Sequence, residues 1–183
     1  MNKKGNILIN VMISIILLGL LIIGLYIYKN RDREVVYKNL NGGKIDFLYY
    51  NDKQGIAMNS INSMSDEAAF KLSDGNNVFN FAIQADFKGA DRKEITYNIL
   101  YKLKDKSNNK NIKISLEKLE DGAYRQVVKP ITLDKVKNFI LYSSKVSDDA
   151  KQEYRVKVWK NEGTVTNFSN DEVLKFTIQA KDV

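Results

Sequence analysis

The strictest constraint in this chain is a period-two alternation of apolar residues that recurs along most of its length. Over Val78–Phe87, Phe79, Phe81, Ile83, Ala85 and Phe87 fall on one side, with Asn80, Ala82, Gln84 and Asp86 on the other. Successive side chains of an extended strand point to opposite faces, so this spacing predicts a strand with one buried face rather than an amphipathic helix. The same spacing returns in Ile95, Tyr97, Ile99, Tyr101 and Leu103, and in Ile112, Ile114 and Leu116. It recurs in Tyr154, Val156 and Val158, and in Leu174, Phe176, Ile178 and Ala180. Lys44–Tyr50 alternates through Ile45, Phe47 and Tyr49, while Tyr124–Val128 and Phe139–Ser143 are shorter candidates flanking Pro130.

About eight strands with short polar turns and no long crossover helices argue against a parallel α/β sheet. A half-buried sheet needs a second layer, so residues 44–183 are predicted to form two antiparallel sheets face to face around an interior about 10 Å thick. The expected fold class is all-β, an antiparallel β-sandwich of immunoglobulin-like or jelly-roll-like kind. Ser65-Asp66-Glu67-Ala68-Ala69-Phe70 predicts one helical turn, with Ser65 as N-cap and two acids beside the exposed amides. Leu133–Lys137 reads as a brief helix or a coil crossing between sheets.

Ile7–Tyr28 stands apart. It carries no charge, and Asn10 and Ser14 are its only strongly polar members. As a helix rising about 1.5 Å per residue it is long enough to cross roughly 30 Å of hydrocarbon. Tyr26 and Tyr28 close it at headgroup level, and Lys29 follows. The expectation is a basic leader and transmembrane helix over 1–28, a juxtamembrane linker over 29–43 and the β-domain beyond, with the lipid bilayer as partner through Ile7–Tyr28. A cleaved secretory signal is the alternative, although no small-x-small site follows the apolar run. Lysine and arginine counts on the two sides, with Lys29, Arg31, Arg33, Lys38 and Lys44 following the span, lean towards a cytoplasmic domain.

The chemistry-bearing residues narrow function mostly by exclusion. Histidine and cysteine are both absent, which removes the His-based triads, cysteine nucleophiles and usual zinc ligand sets. Neither GxxxxGK[ST] nor GxGxxG occurs. The tightest acidic pairs, Asp66-Glu67 and Asp148-Asp149, lack the spaced oxygen ligands of a calcium loop and read as helix-start and turn residues. Lys102, Lys104, Lys106, Lys110 and Lys113 form a basic stretch. Tyr97 and Tyr101 alternate in phase with Ile95, Ile99 and Leu103, so they read as buried aromatics beneath a lysine-rich turn. A stacking platform for nucleic acid is disfavoured. Trp159 reads as packed against a neighbouring sheet or loop, with partner contact the alternative. No catalytic, cofactor-binding or metal site is expected, and the chain reads as non-enzymatic. A formal charge of +7 favours anionic contacts, but the lysines are interspersed with acids, so a generally solvated surface is the simpler expectation.

Two resemblances extend this reading. Met64-Ser65-Asp66-Glu67, followed by the alternating strands and Tyr154-Arg155-Val156-Lys157-Val158-Trp159, resembles a family of small single-pass surface proteins of low-GC Gram-positive and gut bacteria. There a membrane helix precedes an all-β external domain. Ser63 and Ala69 replace that family's proline and glycine. The resemblance implies a cell-membrane protein with an extracellular β-domain, a structural or interaction role, and an envelope or assembly partner. It overrides the charge count. Lys3-Lys4-Gly5-Asn6-Ile7-Leu8-Ile9-Asn10 resembles a type IV prepilin leader, with Asn10 where the usual glutamate would stand. This implies a minor pilin or pseudopilin as the alternative, and a phage or virion structural protein is a further one.

Overall fold

The computed structural model describes residues 12–14, 16–22, 33–40, 43–49, 55–87, 93–104 and 109–181. Two units emerge, Met1–Arg33 and Glu34–Val183. In the first, residues 12–14 and 16–22 are helical, and the side chains of Leu17, Leu18, Leu20 and Leu21 are exposed. Among the described residues no helix is long and apolar enough to cross a membrane. A bilayer span needs about 20 consecutive apolar helical residues, and the described helical stretches within Ile7–Tyr28 are shorter than that. The expected transmembrane anchor is corrected on this ground. With it go the tethered form of the fold class, the bilayer partner and the single-pass membrane localisation. The remainder of Ile7–Tyr28 and the leader Lys3–Asn10 lie outside the described residues.

The second unit is mostly β. Its described strands are β1 (Arg33–Leu40), β2 (Gly43–Tyr49), β3 (Gly55–Ala57), β4 (Val78–Asp86), β5 (Glu94–Lys102), β6 (Ile112–Glu120), β7 (Ala123–Thr132), β8 (Ile140–Ser147), β9 (Lys151–Lys160) and β10 (Val173–Ala180). They form two antiparallel sheets, one ordered β1-β2-β4-β9-β6-β7 and the other β3-β10-β5-β8. β1 occupies part of the segment read from sequence as a linker.

The alternation places the core where the pattern requires. Phe79, Phe81, Ile83 and Ala85 of β4 are buried together with Tyr97 and Ile99 of β5, Val156 and Val158 of β9, and Phe176 and Ile178 of β10. Residues from both sheets enter this one cluster, so each sheet supplies the apolar layer that the other needs. The Phe79 ring on β4 stacks against Phe176 on β10, with centroids 5.3 Å apart. Burial of this kind contributes roughly 25 cal/mol per Å² of apolar surface, and it dominates the stability of a fold without disulfides.

Local chemistry explains the connections. β6 and β7 meet through Asp121-Gly122, both left-handed at φ 52° and 78°, the conformation of a tight two-residue hairpin turn. The chain crosses between sheets after β7, through the short 3₁₀ turn Leu133–Lys135. Asn138 and Phe139 then take φ 52° and 58° to turn into β8. Phe139 packs edge-on against Tyr101 at 5.6 Å, and the Tyr101 hydroxyl donates to the Leu133 carbonyl at 2.8 Å. The predicted helical turn is present as Asp66–Phe70, and Ser65 Oγ accepts from the Ala68 N–H at 3.2 Å. The segment before it follows the end of β9, where Lys160 N–H donates to Asn62 O and Met64 N–H to Lys160 O. At Gly55 an added Cβ would stand 2.0 Å from the Leu174 carbonyl oxygen, so only glycine allows β3 to lie this close to β10.

Candidate functional site

Three polar clusters and one cationic row distinguish the β-rich unit. The first lies on the outer face of the six-stranded sheet. Arg155, Lys157 and Trp159 of β9 point outward, because Tyr154, Val156 and Val158 fill the core. In register, Trp159 stands opposite Lys113, Lys157 opposite Ser115 and Arg155 opposite Glu117 on β6. The short helix covers this patch. Lys157, 1% exposed, donates from Nζ to Glu117 Oε1 at 2.6 Å and to the Phe70 carbonyl at 2.8 Å. Arg155 approaches the other carboxylate oxygen of Glu117 at 3.7 Å, donates from Nε to Asn80 Oδ1 at 3.2 Å and lies over the Tyr124 ring at 3.9 Å. Asp66, at the start of the helix, accepts from Lys113 at 2.8 Å and from the Trp159 indole N–H at 3.2 Å.

This geometry ties down a helix too short to hold itself. One helical turn gains little from its own hydrogen bonds. Here Phe70 O sits on one cation, and Asp66 binds another cation and an indole. Trp159 is fully buried and thus belongs to the packing against the helix. Asp66 is engaged by Lys113 and Trp159, whereas Glu67 is exposed and meets Lys71 at 3.4 Å.

The second cluster joins the sheets inside the core. The Tyr97 and Tyr154 hydroxyls lie 2.5 Å apart, and both reach Gln152 Oε1, at 2.5 and 3.0 Å. Two hydroxyl protons therefore serve three contacts. The Gln152 amide donates onward to the Lys145 carbonyl of β8 at 2.8 Å. Burial disfavours both phenolates, raising Tyr97 far above the ordinary tyrosine range and Tyr154 to about 12.

The third is acidic. Asp86, Asp148 and Asp149 bring carboxylate oxygens within 4.8 Å of one another where β8 turns into β9. One oxygen of Asp148 already accepts from the Phe87 and Asp149 N–H groups, at 2.6 and 3.0 Å, and Lys44 lies 3.9 Å from Asp86. The sequence pair Asp148-Asp149 thus gains a third acid from a distant strand. Three exposed or half-exposed carboxylates fall short of the six to eight oxygens that calcium takes.

The cationic row lies on the outer face of the four-stranded sheet. Lys102 of β5 and Lys175 of β10 are directly opposed in register, and both are exposed. Among the described residues neither has an ion-pair partner. The lysine-rich stretch read from sequence is otherwise dispersed. Lys104 pairs with Asp171 at 3.4 Å and Lys113 with Asp66, while Lys106 lies outside the described residues. Tyr97 and Tyr101 are buried beneath it, as their phase with the apolar residues implies.

Comparison with protein-family models, with curated proteins and with solved structures gave no match. The expected membership of a single-pass surface-protein family is corrected accordingly, because the membrane helix that would define it is also missing among the described residues.

Two outcomes follow from the clusters. Lys157→Met leaves the buried Glu117 without its closest cation and should cost about 3 kcal/mol in urea unfolding, whereas the double variant Lys157→Met/Glu117→Leu should recover most of that loss. A double variant no more stable than the single one would show that the buried charge is not the cause. The second outcome concerns alkaline pH. The unfolded tyrosines release their protons near pH 10 and the folded ones hold theirs, so the unfolded chain binds fewer protons above that value. Stability from these two groups is fully present below about pH 10 and falls by up to about 1.4 kcal/mol per pH unit for each, until the folded values are reached. Tyr97→Phe/Tyr154→Phe should flatten the stability slope between pH 10 and 12; an unchanged slope would assign it to other groups.

Proposed function

We propose that the β-rich unit is a non-catalytic protein-binding module whose contact surface is the outer face of the four-stranded sheet. The observation that carries this reading is the direct opposition of Lys102 and Lys175. Like charges directly across a pair of strands destabilise it, by up to about 1 kcal/mol. A fold gains nothing from that arrangement, whereas a surface that meets an anionic partner does. The fixed polar groups elsewhere support the assignment, since Lys157, Glu117 and Asp66 hold the short helix and Tyr97, Tyr154 and Gln152 join the sheets. The net charge of +7 would speed encounter with acidic partners at low ionic strength.

The partner-free test is stability. Lys102→Glu creates an opposite-charge pair with Lys175 and should stabilise the protein by about 0.5 kcal/mol in urea at low salt. The advantage should shrink as salt rises through the range in which the Debye length falls below about 8 Å. A Lys102→Glu protein no more stable than the wild type at low salt would remove the electrostatic cost on which the proposal rests.

A further inference from the structure

Resting on that contact-face reading, we propose that the partner is an extended acidic polypeptide segment laid along the strands of the four-stranded sheet. The outer face is organised in rows. Lys102 and Lys175 form the first, Leu100 and Thr177 the next, then Asn98 and Gln179. Beyond them lies Thr96, opposite Lys145 on β8, with its carbonyl accepting from the N–H of exposed Lys181 at 2.8 Å. Lysines therefore recur three rows apart, with a part-apolar row and an amide row between them.

Side chains on one face of a strand repeat every two residues, roughly 6.6 Å. An extended polypeptide has the same repeat. A segment lying parallel to β5 and β10 places carboxylates at i and i+6 over Lys102/Lys175 and Lys181, an apolar side chain at i+2 over Leu100, and a polar one at i+4 against Gln179. Lys145 is already paired with Glu94 at 2.8 Å, so the cations offered to the partner are Lys102, Lys175 and Lys181. The regular rows favour a polypeptide over an irregularly charged polymer, and their charge selects an acidic one.

The test uses the full chain and a fluorescein-labelled synthetic peptide that repeats Glu-Thr-Val-Thr-Gln-Thr twice. Anisotropy at low salt should report saturable binding that weakens as salt rises. Lys102→Glu/Lys175→Glu should weaken it at least tenfold, and replacing the glutamates of the peptide by lysine should abolish it. Lys71→Glu/Lys135→Glu, which makes the same charge change away from this face, should bind like the wild type. Absence of low-salt binding, equal weakening by the two double variants, or preferential binding of a heparin probe would each overturn the acidic-peptide assignment. Those results would leave the contact-face reading to its own test, because the stabilisation by Lys102→Glu is measured without any ligand.

Discussion

Everything else in this molecule depends on one shared apolar layer between two open sheets. Neither sheet is closed on itself, and each has one face rich in aromatic and branched side chains. Phe79 against Phe176, and Tyr154 between Phe81 and Tyr142, span the gap with ring contacts. Aromatic pairs of this kind add to the burial of their own area. The hydroxyl ends of Tyr97 and Tyr154 would be costly in such a layer if left alone. Gln152 accepts from them and passes a hydrogen bond to β8, so the polar atoms inside the core also link the sheets.

With the inner faces occupied, the outer faces carry the differences. On the six-stranded sheet the short helix seals over Lys157, Glu117 and Trp159, turning outward positions of β9 into buried ones. On the four-stranded sheet Lys102, Lys175, Thr177 and Gln179 stay exposed, although Asn98 between them is buried, and the two lysines face each other across strands. The first arrangement uses charge to hold a structure together. The second tolerates a repulsion that the fold would be better without, and that contrast directs attention to the four-stranded face.

Much of the architecture was legible in the sequence. The period-two runs located β2, β4, β5 and β10 closely and the central parts of β6 and β9, Ser65 marked the helical turn, and Leu133–Lys137 does lead from one sheet to the other. β7 and β8 run longer than their apolar patterns because half-exposed strands carry polar residues on both faces; Asp121-Gly122 was an available hairpin signal. The anchor inferred from Ile7–Tyr28 rested on hydropathy, which measures transfer preference, and among the described residues no helix is long and apolar enough to cross a membrane. The cross-strand relations were not readable at all. Lys102 and Lys175 are far apart in the chain, as are Glu117 and Lys157, and Asp86 and Asp148; only strand register brings each pair together. Lys157 also alternates with core residues as any solvated lysine would, and nothing local says that a helix covers it.

Native-state hydrogen exchange tests the shared core most directly. If the two sheets stabilise one another, the slowest amides of β4 and β9 in one sheet and of β5 and β10 in the other will open with the same free energy and the same dependence on denaturant. Separate opening energies, with one sheet keeping its protection after the other has lost it, would contradict a common apolar layer as the foundation of the fold.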